Sequence, residues 1–123
     1  HLIIDADGYF ELIREAMCNA RQRVFLIGWD FDTRIHLSGG RRWWSLQRGG
    51  ERYPARLGAF IVWLAKRTRG LEICILKWNF AFVKSLFRGA MIFDLIRWAT
   101  TPGIKFELDS AHPIGCSHHQ KIV

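Results

Sequence analysis

The chain has 123 residues, half of them hydrophobic, and its 18 Lys and Arg against 11 Asp and Glu give a net charge of +7. This composition, with six Trp and nine Phe, excludes a disordered segment, and the length is that of one domain. The longest uncharged apolar run, Leu57 to Ala65, is too short to cross a bilayer. The positive charge favours anionic partners, such as phosphate esters, anionic lipid head groups or nucleic acid.

The cysteines and the first residues indicate the compartment. Cys18, Cys74 and Cys116 are odd in number and lack C-x-x-C spacing, which argues against a disulfide scaffold and for a reducing compartment. The start at His1 has neither the basic segment nor the cleavage site of a signal peptide. We therefore expect a cytoplasmic or peripheral-membrane location, and a chain trimmed at both ends.

The first half of the chain predicts a helix, a strand and a loop. The helix spans about Asp7 to Arg21, and the strand, Val24 to Trp29, is a continuous apolar run typical of a strand covered on both faces. Asp30 and Asp32 follow it, either as carboxylates in a ligand cleft or, as we favour, as turn caps. Ser38 to Pro54 has glycine pairs at both ends and predicts an irregular surface loop. The buried stripe of the helix consists of Phe10, Ile13, Met17 and Ala20.

The predicted loop carries adjacent arginines and tryptophans. Arg41, Arg42, Trp43 and Trp44 form a group suited to an anionic membrane surface or to stacking on nucleic-acid bases. The two tryptophans have an equal alternative, which is to fold back over the edge of the sheet.

The second half continues the alternation of helices and strands. A helix is predicted from about Pro54, in its first turn, to Arg69, with Gly70 as its stop. A strand over 71–78, a helix over 90–99 and a strand over 104–108 follow it, and residues 79–88 are ambiguous. The buried face of the first of these helices consists of Leu57, Phe60, Ile61 and Leu64.

This alternation predicts an α/β fold with a mixed, mostly parallel sheet flanked by helices in an α/β/α sandwich. The last strand is predicted at Ser117 to Val123. The link from Asp109 to Cys116 is too short for a parallel crossover, so a last strand beside its predecessor would pair antiparallel to it.

The last strand holds the residues with the clearest chemistry. Side chains two apart in a strand share a face at a separation of about 7 Å, so His119 and Lys121 lie together, with Ser117 behind them. An imidazole and an ammonium at that separation can flank one phosphate. The imidazole can attack phosphorus or relay a proton, and the lysine can hold a non-bridging oxygen.

Four stretches together resemble the phospholipase D superfamily, and most closely bacterial phospholipase D-like and cardiolipin-synthase-like proteins. They are Asp30, Lys77 to Phe80, Asp109 to Pro113 and Ser117 to Val123. The family motif is H-x-K, four residues, then Asp; His119 and Lys121 match its first two members, and the Asp would fall beyond Val123. The resemblance makes residues 1–123 an N-terminal phospholipase D-like fragment, truncated inside the first motif.

The resemblance implies a metal-independent phosphodiesterase or phosphatidyltransferase that works through a phosphohistidine and needs no cofactor. His119 would be the nucleophile or the general acid, and Lys121, with Ser117, would bind phosphate. Family members use two such motifs, so the partners implied are a second half-domain or a homodimer mate, besides a phospholipid substrate. The fragment alone is expected to be inactive.

Several alternatives stay open. The same family contains nucleases that act on DNA, and a non-catalytic module binding anionic surfaces is a third function. His119 could also be an ordinary histidine at a strand edge. A zinc site would use the group His112, Cys116, His118 and His119. Adjacent histidines point to opposite faces of a strand, however, and no second ligand pair exists, so zinc is disfavoured, as is a nucleophile built on Cys116.

Overall fold

The protein is described by a computed structural model over residues 6–28, 32–37, 46–48, 51–78 and 90–109. The described residues form three helices and five strands in an α/β arrangement, which confirms the predicted fold class. None of the described helices is long and apolar enough to cross a membrane. In chain order the elements are α1 (Ala6–Asn19), β1 (Arg23–Gly28), β2 (Leu46–Arg48), β3 (Glu51–Tyr53), α2 (Leu57–Arg67), β4 (Glu72–Trp78), α3 (Ala90–Thr100) and β5 (Ile104–Asp109).

Three strands form a parallel sheet in the order β1-β4-β5. In its register Val24 lies beside Ile73, which lies beside Ile104, and the side chains of this row share one face. We call this the helix-covered face, because its residues belong to the same buried core as those of the helices. On this face the side chains of Val24, Leu26, Ile73, Ile75, Lys77 and Ile104 are buried.

All three described helices contribute to that one core. Met17 of α1 and Trp98 of α3 belong to it, as do the wholly buried Phe60, Ile61 and Leu64 of α2. Parallel crossovers are almost always right-handed, and the strand order advances in one direction, so α2 and α3 are expected on the same face. The buried stripe predicted for the first helix and the buried face predicted for the second are confirmed.

The other face of the sheet, which we call the second face, is held by a charged group at the start of the strands. Glu72 of β4 accepts hydrogen bonds from Arg23 Nε of β1 at 2.7 Å and from Lys105 Nζ of β5 at 2.6 Å. The bond from Lys105 and then that from Arg23 lower the pKa of Glu72, and Glu72 raises the pKa of Lys105. One carboxylate therefore links all three strands.

The prediction that the first strand is covered on both faces is wrong for Phe25. Its ring lies on the second face, is 51 % exposed, and has the Arg23 guanidinium carbon 5.6 Å from its centroid. An apolar run shows that a strand is hydrophobic on both sides. It does not show that both sides are packed, and β1 is an edge strand of the described sheet.

One predicted boundary and one predicted loop also change. Arg56 is the extended N-cap of α2, so Pro54 precedes the helix instead of lying in its first turn. The stretch predicted as an irregular loop contains the antiparallel pair β2–β3, in which Arg48 pairs with Glu51. Only two residues, both glycine, separate these strands, and Gly-Gly is a favoured two-residue connection in hairpins. The predicted loop therefore contains a described strand on each side of this glycine pair.

Two parts of the fold prediction lie outside the described residues. The fourth strand, Ser117 to Val123, is one of them, and with it the predicted antiparallel pairing. The described helices form a single layer, so the second helical layer of the α/β/α sandwich also stays a prediction.

Candidate functional site

The candidate site is the edge of the sheet at which its parallel strands end. The last row that contains all three strands pairs Gly28 of β1 with Lys77 of β4, and Lys77 with Leu108 of β5. The three strands therefore end side by side. Ligands of open α/β sheets bind outside the carboxyl ends of the strands. Any polar side chain at this edge is therefore a candidate for function.

Lys77 is the charged residue buried at this edge. Its side chain lies on the helix-covered face in line with Ile73 and Ile75, and the residue is 1 % exposed. An ammonium is costly to bury unless other groups compensate it, and Lys77 does interact with a neighbour. Lys77 belongs to one of the stretches that resemble the phospholipase D superfamily, but no role is predicted for it from the sequence. The signal was present, because alternation in Ile73-Cys74-Ile75-Leu76-Lys77 places the lysine on the buried face.

Asp32 caps the turn that follows β1. Its Oδ1 accepts hydrogen bonds from the Arg34 backbone N and from Arg34 Nε, both at 2.9 Å, and its Oδ2 accepts one from Arg34 Nη2 at 2.8 Å. These bonds raise the pKa of Arg34. The turn-capping interpretation of Asp32 is confirmed, whereas Asp30 lies outside the described residues.

A second polar group lies where α2 begins, beside the same edge. The N–H groups of Leu57 and Gly58 donate to the carbonyls of Ile35 and Thr33 at 2.8 and 2.9 Å, so the turn after β1 holds the start of the helix. The Asp94 carboxylate of α3 also lies here: its Oδ2 is 2.7 Å from the position of a Cβ on Gly58. A carboxylate near a helix N-terminus is favoured by the helix dipole. Nothing local in the sequence brings Thr33 and Asp94 together, because only the packing of α3 on α2 does so.

Thr33 is the unusual member of this group. The residue is 1 % exposed, and its Oγ1 is buried with no hydrogen-bond partner among the residues that the structure describes. Buried hydroxyls normally find a partner, so an orphaned one at the edge where strands end adds to the polar character of the site.

The residues predicted to carry the chemistry lie outside the described part of the chain. These are His119, Lys121 and Ser117 of the predicted last strand; Arg41, Arg42, Trp43 and Trp44 of the basic loop; and His112, Cys116 and His118 of the zinc alternative. Their mutual arrangement stays a prediction. Within the described ranges, no three His, Cys, Asp or Glu side chains are grouped as a metal would require, and neither Cys18 nor Cys74 is part of a disulfide.

Comparison with known proteins adds no family. No protein-family model matches the chain, and no curated protein matches it. The phospholipase D resemblance therefore depends on the residues of this sequence alone.

Proposed function

We propose that this chain is the first half of a phospholipase D-like phosphodiesterase that cleaves or transfers phospholipid phosphodiesters. His119 is one of the two histidines of its site, and Lys121 and Ser117 bind the phosphate. The protein acts in the cytoplasm or at a membrane surface. The observation that carries the proposal is the alignment of three strand ends at one edge of the sheet.

Three of the four stretches that carry the resemblance begin at or just after these ends. Asp30 follows β1 by two residues, Lys77 and Trp78 end β4, and Asp109 ends β5. They are far apart in sequence, but the register pairs Gly28 with Lys77 and Trp78 with Asp109. In the sequence, the predicted H-x-K strand follows Asp109 after a short link. Functional residues of α/β enzymes come from the ends of several strands, as this arrangement provides.

The proposed reaction has two steps. One histidine nitrogen attacks phosphorus, the bond from phosphorus to the leaving alcohol breaks, and the second histidine donates its proton to that alcohol. Water or another alcohol then attacks phosphorus and gives its proton back to the second histidine. The bond from phosphorus to the first histidine breaks, which releases the product and restores that histidine. Lys121 and its counterpart stabilise charge on the phosphoryl oxygens. The second histidine and lysine come from the other half-domain or from a second copy of this chain.

The test is the hydrolysis of a chromogenic phosphodiester in excess EDTA by the longest product of the gene. We expect the wild type to be active in EDTA and His119→Ala to lose activity by a factor on the order of 10⁴ or more. The activity of His36→Ala should change little. His36 is an exposed histidine of the turn after β1 and is the matched control. Activity that EDTA abolishes, or a His119→Ala variant as active as the wild type, would sink the proposal.

The substrate is tested with the same variants on two polymeric or assembled substrates. Vesicles of phosphatidylcholine and phosphatidylglycerol report lipid turnover, and plasmid DNA reports nuclease activity, which should weaken steeply with salt. Turnover of lipid but not of DNA is the expected result. A non-catalytic module would instead bind the vesicles equally well as His119→Ala and lose binding when Arg41 and Arg42 are replaced.

A further inference from the structure

Arg14 of α1 is a buried arginine. The residue is 5 % exposed, although arginine is among the residue types least often buried unless paired. Its ion pair among the described residues is with Glu11, whose Oε1 is 3.7 Å from Arg14 Nη2, beyond hydrogen-bond distance. The Glu11 side chain is itself 63 % exposed. Within the described part of the chain, Arg14 therefore has a weak ion pair and no hydrogen bond.

The Tyr53 ring of β3 contacts the Arg14 guanidinium but does not accept its hydrogen bonds. The Arg14 guanidinium carbon lies 5.3 Å from the centroid of the Tyr53 ring, a cation–π contact. Such a contact offsets part of the cost of burying the charge. It supplies no oxygen acceptor, however, and a guanidinium has five N–H donors in a fork that matches carboxylate and phosphate oxygens.

The donors of Arg14 border a cleft of about 190 Å³ between α1, α2 and β3. A second guanidinium, that of Arg67, lies 5.4 Å from the ring centroid of Trp63 and donates to the carbonyl of Cys18 at 3.5 Å. The cleft is several times the volume of one water and smaller than the usual pocket for a drug-sized ligand. Its walls include Arg14, Glu15, Asn19, Tyr53, Trp63 and Arg67.

The charges around the cleft include both signs. Two guanidinium groups line it, against the Glu15 carboxylate and the partial negative charge at the end of α1. The bond from Arg67 to the Cys18 carbonyl offsets part of that partial charge, and Glu15 already has an interaction of its own. Arg67 likewise has a further interaction, so Arg14 is the guanidinium of the wall that has no hydrogen bond to a described residue.

We propose that this cleft binds a small oxyanion, a phosphate or carboxylate group, held by two donors of Arg14 with Arg67 as the second cation. The cleft includes the ends of α1 and α2, which lead into the starts of β1 and β4, so it lies toward the edge of the sheet opposite to the candidate site. The proposal is therefore independent of the phosphodiesterase proposal.

The test is a calorimetric titration of the 123-residue chain with inorganic phosphate and, separately, with acetate. Both are carried to about 20 mM against sodium chloride of equal ionic strength, which reaches sites with Kd of about 1 mM. We expect saturable binding of at least one anion, and whichever binds identifies the ligand as a phosphate or a carboxylate. Arg14→Lys should weaken binding about tenfold, because an ammonium lacks the two-donor fork. Arg69 is exposed and lies two residues beyond Arg67 of the cleft, so Arg69→Gln should bind each anion as tightly as the wild type does.

A second variant covers the case in which replacing Arg14 impairs folding. Arg67 is exposed, so Arg67→Gln should keep the wild-type circular dichroism spectrum while weakening anion binding. If neither anion gives a saturable heat of binding to the wild type above that of the chloride control, the proposal is wrong. It is equally wrong if folded Arg14→Lys and Arg67→Gln both bind as tightly as the wild type.

Discussion

Glu72 shows how one residue can connect a whole sheet. Its two carboxylate oxygens are divided between Arg23 and Lys105, one from each neighbouring strand. Because hydrogen bonds to the ionised form favour that form, they lower the pKa of Glu72 in the folded chain. A carboxyl with a lowered folded-state pKa stabilises the fold above its ordinary pKa, and the stabilisation is lost as the pH falls.

We expect the free energy of unfolding of Glu72→Gln to fall below that of the wild type at pH 7. The difference should narrow as the pH falls below the ordinary carboxyl pKa of 4.5, because the wild type then loses the same charge by protonation. Urea unfolding followed by circular dichroism from pH 7 to pH 3 measures it. Glu107→Gln is the control. Glu107 of β5 lies on the second face of the sheet, as Glu72 does, and has no ion pair with a described residue. An equal difference at both pH values would contradict the prediction.

At the scale of elements, the close approach of α2 and α3 depends on a glycine. Trp98 Nε1 of α3 donates to the Gly58 carbonyl of α2 at 3.0 Å, and both residues are buried. A Cβ on Gly58 would lie 2.7 Å from Asp94 Oδ2 and 2.9 Å from Thr33 Cβ. The two helices and the turn after β1 therefore meet at a position that has no room for a side chain.

We predict that Gly58→Ala destabilises the protein by about 1–3 kcal/mol, the usual cost of overpacking. In an unobstructed helix the same change would stabilise by up to about 1 kcal/mol, so the sign separates the two cases. Thermal or urea unfolding measures the effect. Adding Asp94→Ala removes one of the two obstructing side chains and should restore part of the loss. A Gly58→Ala variant more stable than the wild type would show that the contact is not tight.

At the scale of the molecule, β4 is the centre of the described structure. It pairs with both other strands of the parallel sheet, and Ile73 and Ile75 are almost fully buried between them. The β2–β3 pair, in contrast, has three residues in each strand and its own two-stranded sheet. Local opening is rarest where buried contacts are densest, so stability should differ between these two parts.

We expect native-state hydrogen exchange to be slowest at the amides of β4 and much faster in β2 and β3. The protection of Ile73 and Ile75 should approach the global free energy of unfolding, because exposing the central strand requires the whole sheet to open. Exchange followed by nuclear magnetic resonance, residue by residue, measures this. Equal protection of the β2–β3 amides would mean that the hairpin and the sheet open as one unit.

Local sequence patterns predicted most helices and strands of the described chain, although not the β2–β3 pair. Helical spacing in Phe10, Ile13 and Met17 and the apolar runs of β1 and β4 predicted these elements and the α/β class, because periodicity records which side of an element is buried. The same periodicity places Arg14 and Lys77 in register with buried neighbours, although charged residues usually lie at the surface. The H-x-K pair of His119 and Lys121 is likewise a sequence prediction, and it stays one.

Contacts between residues far apart in sequence depend on how the helices and strands pack together. Thr33, Gly58 and Asp94 come together because α3 packs against α2. Arg14 contacts the Tyr53 ring because β3 lies beside α1. The exposure of Phe25 was also a tertiary outcome, since an apolar run does not record whether anything packs on it. Such contacts depend on strand order and on which face each helix covers, and no local pattern of side chains contains that information.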